Sequence, residues 1–156
     1  MAGDLYHGPM DEIPHPPVPV ETAVTELSLA IGQLMRRLRA EVNPGELTWS
    51  QLTTLARLER VGAMTTADLA RSEHVKPQSM GTTLADLEQE GLVQRRPHPT
   101  DGRQVLFELT AEGIEARRQR NIAKREWLLA ATAKLDPSEQ QSLISAAALI
   151  KRLAES

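Results

Sequence analysis

GLVQRRPHPTDGRQVLFELTAEG, residues 91–113, reads as a small exposed hairpin that runs straight into a helix. Gly91 ends the preceding helical pattern, and Leu92 and Val93 begin a strand. Pro97, Pro99 and the Thr100-Asp101-Gly102 turn break that strand, and it returns over 104–109 with Val105, Phe107 and Leu109 on one face. Thr110-Ala111-Glu112-Gly113 then opens a long helix. Arg103 lies just past the tip of the hairpin. A basic side chain there can enter a DNA minor groove, where the negative potential is enhanced. Asp101, two residues earlier, is expected to pair with Arg95 on the opposite strand, and Gly102 supports the turn.

Upstream, apolar residues recur at helical spacing. Val24, Leu27, Ile31, Leu34 and Leu38 form one stripe of a first helix that Asn43-Pro44-Gly45 stops. Leu52, Leu55 and Leu58, after Ser50, mark a second helix that ends near Val61-Gly62. Thr65 and Asp68 have the spacing of a capping box for a short third helix, over 67–72. Pro77 suits the first turn of a fourth helix, over 77–90, whose inward stripe is Met80, Leu84 and Leu87. Downstream of the hairpin one helix extends to about residue 133. Asp136-Pro137-Ser138-Glu139 caps a last one, with Leu143, Ile144, Ala147, Ile150 and Leu153 inward.

Two neighbouring helices joined by a short turn and followed by a hairpin describe a winged helix-turn-helix. The predicted fold is therefore mainly α with a small β wing. A flexible proline-rich arm (1–18) precedes a single domain (19–156). In that domain, dimerisation helices at about 20–42 and 111–154 flank a winged helix-turn-helix at about 48–110. The second helix of such a pair reads base edges in the major groove. With Met80, Leu84 and Leu87 inward, Lys76, Pro77, Gln78, Ser79, Thr82 and Thr83 are left near the groove, and no acidic residue falls between Val75 and Ala85. Gln can pair with adenine, Ser and Thr can donate or accept, and Lys can reach phosphate or guanine. Arg95 and Arg103 complete the predicted DNA-binding set.

Composition bounds the alternatives. The 156 residues carry a net charge of -3, which argues against indiscriminate coating of nucleic acid but leaves room for a local basic surface. Between Arg57 and Arg125 twelve basic residues face ten acidic ones, so the relative positive bias lies in the middle of the chain. There is no cysteine, hence no disulfide, thiolate nucleophile or thiol switch, and four scattered histidines lack the spacing of a metal site. No apolar run of eighteen residues and no signal-peptide pattern occur, so a cytoplasmic protein without a membrane partner is expected. An enzyme would need a nucleophile and base, paired carboxylates or a phosphate loop. None stands at usable spacing, His74 and His98 are solitary, and no cofactor is expected.

Gly91-Leu92-Val93-Gln94-Arg95, Asp101-Gly102-Arg103 and Leu109-Thr110-Ala111-Glu112-Gly113 together resemble the wing signature of MarR-type transcriptional regulators. The likeness extends upstream through Leu47-Thr48-Trp49-Ser50-Gln51-Leu52 and Met64-Thr65-Thr66-Ala67-Asp68-Leu69-Ala70, and covers roughly residues 20–154. It implies a homodimer on a pseudo-palindromic double-stranded operator, a repressor of genes near its own, with both chain ends intertwined. Leu27, Ile31, Leu34, Ile144, Ile150 and Leu153 are the expected dimer contacts, or else part of a monomer core. It also implies a small aromatic or phenolic effector, for which Met35, Trp49, Leu52, Arg57 and Trp127 could line a pocket, or simply form core. The chain departs from the family at Gly81-Thr82, where Thr-Arg is common, so no operator sequence carries over. Gly81 either weakens the helix or lets its backbone approach DNA or a packed neighbour. The competing functional reading is a winged helix used only for protein contact, which would tolerate a neutral wing.

Overall fold

A computed structural model describes residues 19–43 and 47–156. The predicted arm and the Pro44-Gly45 stop signal lie outside the described residues. Among the described residues nine elements follow in order: α1 (Val20–Val42), α2 (Trp49–Val61), β1 (Met64–Thr65), α3 (Thr66–Ser72), α4 (Pro77–Gln89), β2 (Val93–Pro97), β3 (Val105–Leu109), α5 (Ala111–Thr132) and α6 (Pro137–Ala154). The backbone divides into two units at Met35, inside α1. In the first, α1 carries an exposed apolar stripe that includes Val24, Leu27, Ile31 and Leu34.

The second unit holds the core. Leu55 and Leu58 of α2, Leu69 and Ala70 of α3, Met80, Leu84 and Leu87 of α4, Val93 of β2 and Phe107 of β3 form one buried cluster. Periodicity singled out most of these, because each helix has one apolar face and three helices must share it. Thr54 is also fully buried. Its hydroxyl donates to the Ser50 carbonyl at 2.7 Å and lies 3.6 Å from the Met80 sulfur, so its polar group is satisfied inside the helix.

Helix ends follow local chemistry. Pro77 opens α4, and Asp136 with Glu139 forms a reciprocal capping box on α6. The cap of α2 is Thr48, paired with Gln51 in a full box. Thr65 accepts from the Asp68 amide, but only this half of its box forms. Gly91 (φ +75) stands one residue beyond the α4 cap. The Leu92 amide donates to the Leu87 carbonyl and the Gly91 amide to Glu88, a Schellman closure that turns the chain from α4 into the wing. The same bond pattern ends α3, but with His74 (φ 55) in the left-handed position.

The sheet has three strands rather than the two of a hairpin. The short β1 adds to β3, giving the antiparallel order β1-β3-β2 with Met64 opposite Phe107. Consequently β3 is central, and both Leu106 and Phe107 are buried while Val105 is exposed, unlike the simple alternation expected. The α6 residues Leu143, Ile144, Ile150 and Leu153 are likewise exposed in the chain on its own, not inward as expected.

Candidate nucleic-acid interface

The helix-turn-helix is α3 and α4, and it is braced from behind by α2. The guanidinium of Arg57 donates to Glu73 at 2.7 Å and to the Ser72 carbonyl at 3.3 Å, tying α2 to the end of α3. With its inward stripe packed, α4 turns Lys76, Pro77, Gln78, Ser79 and Thr82 outward as exposed residues, and leaves Thr83 half-buried. The hydroxyls of Thr82 and Thr83 donate to the carbonyls of Gln78 and Ser79, which leaves their lone pairs available to accept. Lys76 is the N-cap but makes no capping bond. The Gln78 and Ser79 amides in the first turn therefore have no side-chain cap and point out of the helix with its positive dipole end. Beyond its own stretch of helix backbone, Gly81 has no heavy atom within 4 Å of where a Cβ would stand, so no packed neighbour requires glycine there.

The wing is anchored to α4 at its base. The Thr110 amide donates to the Leu92 carbonyl at 3.1 Å, and its hydroxyl donates to the Gly91 carbonyl at 2.6 Å while accepting from the Gly113 amide at 3.0 Å. Gly113 is buried directly against the Leu92 carbonyl, and a Cβ would overlap that oxygen. Hence the Leu-Thr-Ala-Glu-Gly run both caps α5 and holds the wing to the end of α4.

The expected Arg95–Asp101 pair does not form. Arg95 lies opposite Phe107 in the β2–β3 register, with its guanidinium 5.4 Å from the ring centroid, and donates to both carboxylate oxygens of Glu88 on α4 at 3.0 and 3.2 Å. The reason is position: Arg95 is at the stem, beside α4, whereas Asp101 is beyond the last paired residues Pro97 and Val105. Arg96 is held by Glu108 at 3.1 Å. Asp101 instead accepts from the Arg103 backbone amide at 3.1 Å, with the Arg103 guanidinium 3.6 Å away. The Arg103 side chain is 94% exposed, and Gly102 next to it is exposed as well. Sequence reasoning missed one organiser of this tip, His98, whose ring accepts from the Thr100 and Asp101 amides. The two flanking prolines and the Thr-Asp after it were the available signal.

Of the five expected pocket residues, Trp49, Leu52 and Arg57 lie on α2, Trp127 on α5 and Met35 on α1. Trp49 lines a small cavity of about 110 Å³ with Ser79, Met80 and Thr83 of α4, Leu52 packs on the core, and Arg57 is engaged with Glu73. Trp127 is half-buried on α5, and Met35 is exposed on α1. A larger cavity of about 490 Å³ is lined instead by Val42, Leu47, Glu90, Leu92 and α5 residues that include Arg120. Among the described residues no cluster of possible metal ligands occurs, and no helix is long and apolar enough to cross a membrane.

Known proteins share this arrangement. Residues 47–105 match the family model described as MarR family. An uncharacterized HTH-type transcriptional regulator of Mycobacterium bovis is 41% identical over 131 residues, 84% of this chain and 92% of the relative. An HTH-type transcriptional repressor of Mycobacterium tuberculosis is 34% identical over 96 residues, 61% of this chain and 65% of the relative. Among solved structures, a transcriptional regulator protein from Pseudomonas aeruginosa superimposes with a TM-score of 0.80 at 30% identity, covering 90% of this chain and 99% of that one. With the helix-turn-helix, the wing and these relatives in agreement, the chain belongs to the MarR family of winged helix-turn-helix transcriptional regulators.

Proposed function

We propose that the protein is a sequence-specific, double-stranded DNA-binding repressor that acts in the cytoplasm as a homodimer on a pseudo-palindromic operator. One observation carries the reading: α4 presents an outward face free of acidic residues up to Asp86, and beside it a wing holds Arg103 almost fully in solvent. Lys76, Gln78, Ser79, Thr82 and Thr83 meet the major groove, and the uncapped first turn of α4 faces phosphate. Arg103 enters the minor groove. Arg95, held by Glu88, fixes the wing's angle to α4 and meets DNA only at its edge.

A single helix reads too few base pairs to select a site in a genome, which calls for two copies about one helical turn apart. Exposed Leu27, Ile31 and Leu34 on α1, and Ile144, Ile150 and Leu153 on α6, supply apolar surface for that second copy. Repression is supported by the name of the Mycobacterium tuberculosis relative. Release by a small aromatic or phenolic ligand rests on the family resemblance. The cavity beside Arg120 is a suitable volume for one, and such a ligand acts only through its preference for a non-binding geometry.

The test is selection from a random duplex pool by the purified protein, followed by titration of the recovered sequence at several salt concentrations. An inverted repeat is expected, with a steep salt dependence whose slope falls by about one in Arg103→Ala. No enrichment at low salt, or an Arg103→Ala slope equal to that of the parent, would overturn the reading.

A further inference from the structure

The tip of the wing is built on a histidine. His98 lies between Pro97 and Pro99, and proline at the next position holds its backbone extended, so the chain turns back only at Thr100. There the His98 Nδ1 accepts from two successive amides, Thr100 at 3.2 Å and Asp101 at 3.1 Å. The bonds continue from that point. The Asp101 carboxylate accepts from the Arg103 amide at 3.1 Å, the Asp101 carbonyl from the Gln104 amide at 3.0 Å, and the Gln104 carbonyl from the His98 amide at 3.3 Å. This closed circuit sets where the Arg103 backbone stands.

A side-chain acceptor for amides two and three residues ahead is the usual work of Asn or Asp. The Nδ1 of an imidazole occupies nearly the same place as an Asn Oδ1, one bond from Cγ. The two differ in one property. Imidazole accepts at Nδ1 only when neutral with its proton on Nε2, and its cation has no lone pair to offer. Histidine is also the side chain that ordinarily changes charge between about pH 5 and 8.

We propose that His98 is a positioning residue for Arg103, and that its proton state sets the order of the wing tip and with it the grip on DNA. The neutral ring closes the turn, and the protonated ring loses both amides. Only the neutral ring can accept from both amides, so order is expected to be lost as pH falls. Asp101 and Arg103 share the tip with the ring, and Arg96 and Glu108 on the strands below are paired to each other. A second consequence of protonation, an added positive charge near phosphate, acts in the opposite direction and makes the sign of the experiment informative.

The DNA arm of this inference rests on the function proposed above, and the wing arm does not. Two measurements separate them. In the free protein, hydrogen exchange and chemical shifts of the Thr100, Asp101 and Arg103 amides are followed between about pH 8 and 5.5, for the parent, His98→Asn and His98→Ala. The parent amides should lose protection as pH falls, His98→Asn should keep it throughout, and His98→Ala should lack it throughout. With the selected duplex, the parent should lose affinity about three- to tenfold over the same range, His98→Asn should bind equally at both ends, and His98→Ala should be weak at both. The inference is overturned if His98→Asn shows the parent's pH dependence, if His98→Ala orders the tip like the parent, or if the parent binds more tightly in acid. If no variant binds any duplex, the amide data alone decide the positioning role and the DNA-binding proposal fails separately.

Discussion

Replacing Gly81 by alanine should make the protein more stable and a poorer DNA binder. Glycine in the interior of a helix costs about 1 kcal/mol relative to alanine, because the unfolded chain is freer and no side chain shields the helix. That gain is realised only if the new methyl meets no obstacle. At Gly81 nothing outside its own stretch of helix backbone stands within 4 Å of the Cβ position, and the backbone is ordinary α-helix, so neither overlap nor strain offsets it. For a chain of this size, about 1 kcal/mol corresponds to a rise in Tm of roughly 2–4 °C. Thermal unfolding by circular dichroism, at one fixed protein concentration because the proposed dimerisation would link Tm to concentration, measures it directly. The helix positions around Gly81 on the solvent side are Gln78, Thr82 and Ala85, so the same methyl projects beside the face offered to the groove. Operator affinity should fall severalfold although the fold is firmer. A Tm equal to or below that of the parent would refute the open-surface argument, and unchanged affinity would refute the close approach of this backbone to DNA.

Two further substitutions probe the joints that aim the wing and the recognition helix. Gly113→Ala sets a methyl on the Leu92 carbonyl and should cost about 1–3 kcal/mol in urea unfolding, because that carbonyl is also bound by the Thr110 amide and cannot withdraw freely. Unaltered stability would show that the α5–wing joint is loose. His74→Gly relieves a left-handed non-glycine residue at the end of α3 and should stabilise by up to about 1 kcal/mol, the steric gain being partly offset by the freer unfolded chain. A loss of stability there would mean that the His74 side chain contributes more than its backbone costs.

What could be read from the chain was what lies close along it. Pro77 marks a helix start by its missing N–H, and Gly91, Thr110 and Asp136 mark helix ends through bonds spanning five residues or fewer, so their chemistry is present in any short window. The stripe of Met80, Leu84 and Leu87 fixes which side of α4 is buried, and by subtraction which side can meet a groove. The strand β1 was not legible for the opposite reason. Met64 and Thr65 have no periodicity of their own, and they become a strand only because β3, some forty residues later, offers an edge. Arg95 was misassigned on similar grounds. Sequence spacing favours Asp101, but the register sets Arg95 beside α4, where Glu88 provides two oxygens and Phe107 a ring face.

Periodicity has a second limit, and α1 and α6 display it. A three- and four-residue repeat of apolar side chains states that one face of a helix avoids water, without stating what covers it. On α4 the cover is the rest of the winged helix, and Leu84 and Leu87 are buried. On α6 the same kind of stripe leaves Ile144 at 65% and Leu153 at 61% exposure. The winged helix does not need those residues, since α2, α3, α4 and the sheet already close a core without them. Their apolar surface is thus surplus to the fold of one chain, and a row of exposed leucine and isoleucine is costly to leave in water at roughly 25 cal/mol per Å². The proposed second copy of the same chain would answer that cost, and it would also supply the second recognition helix that a palindromic operator requires. The apolar stripes and the reading head therefore support a single proposal from opposite ends of the molecule's chemistry.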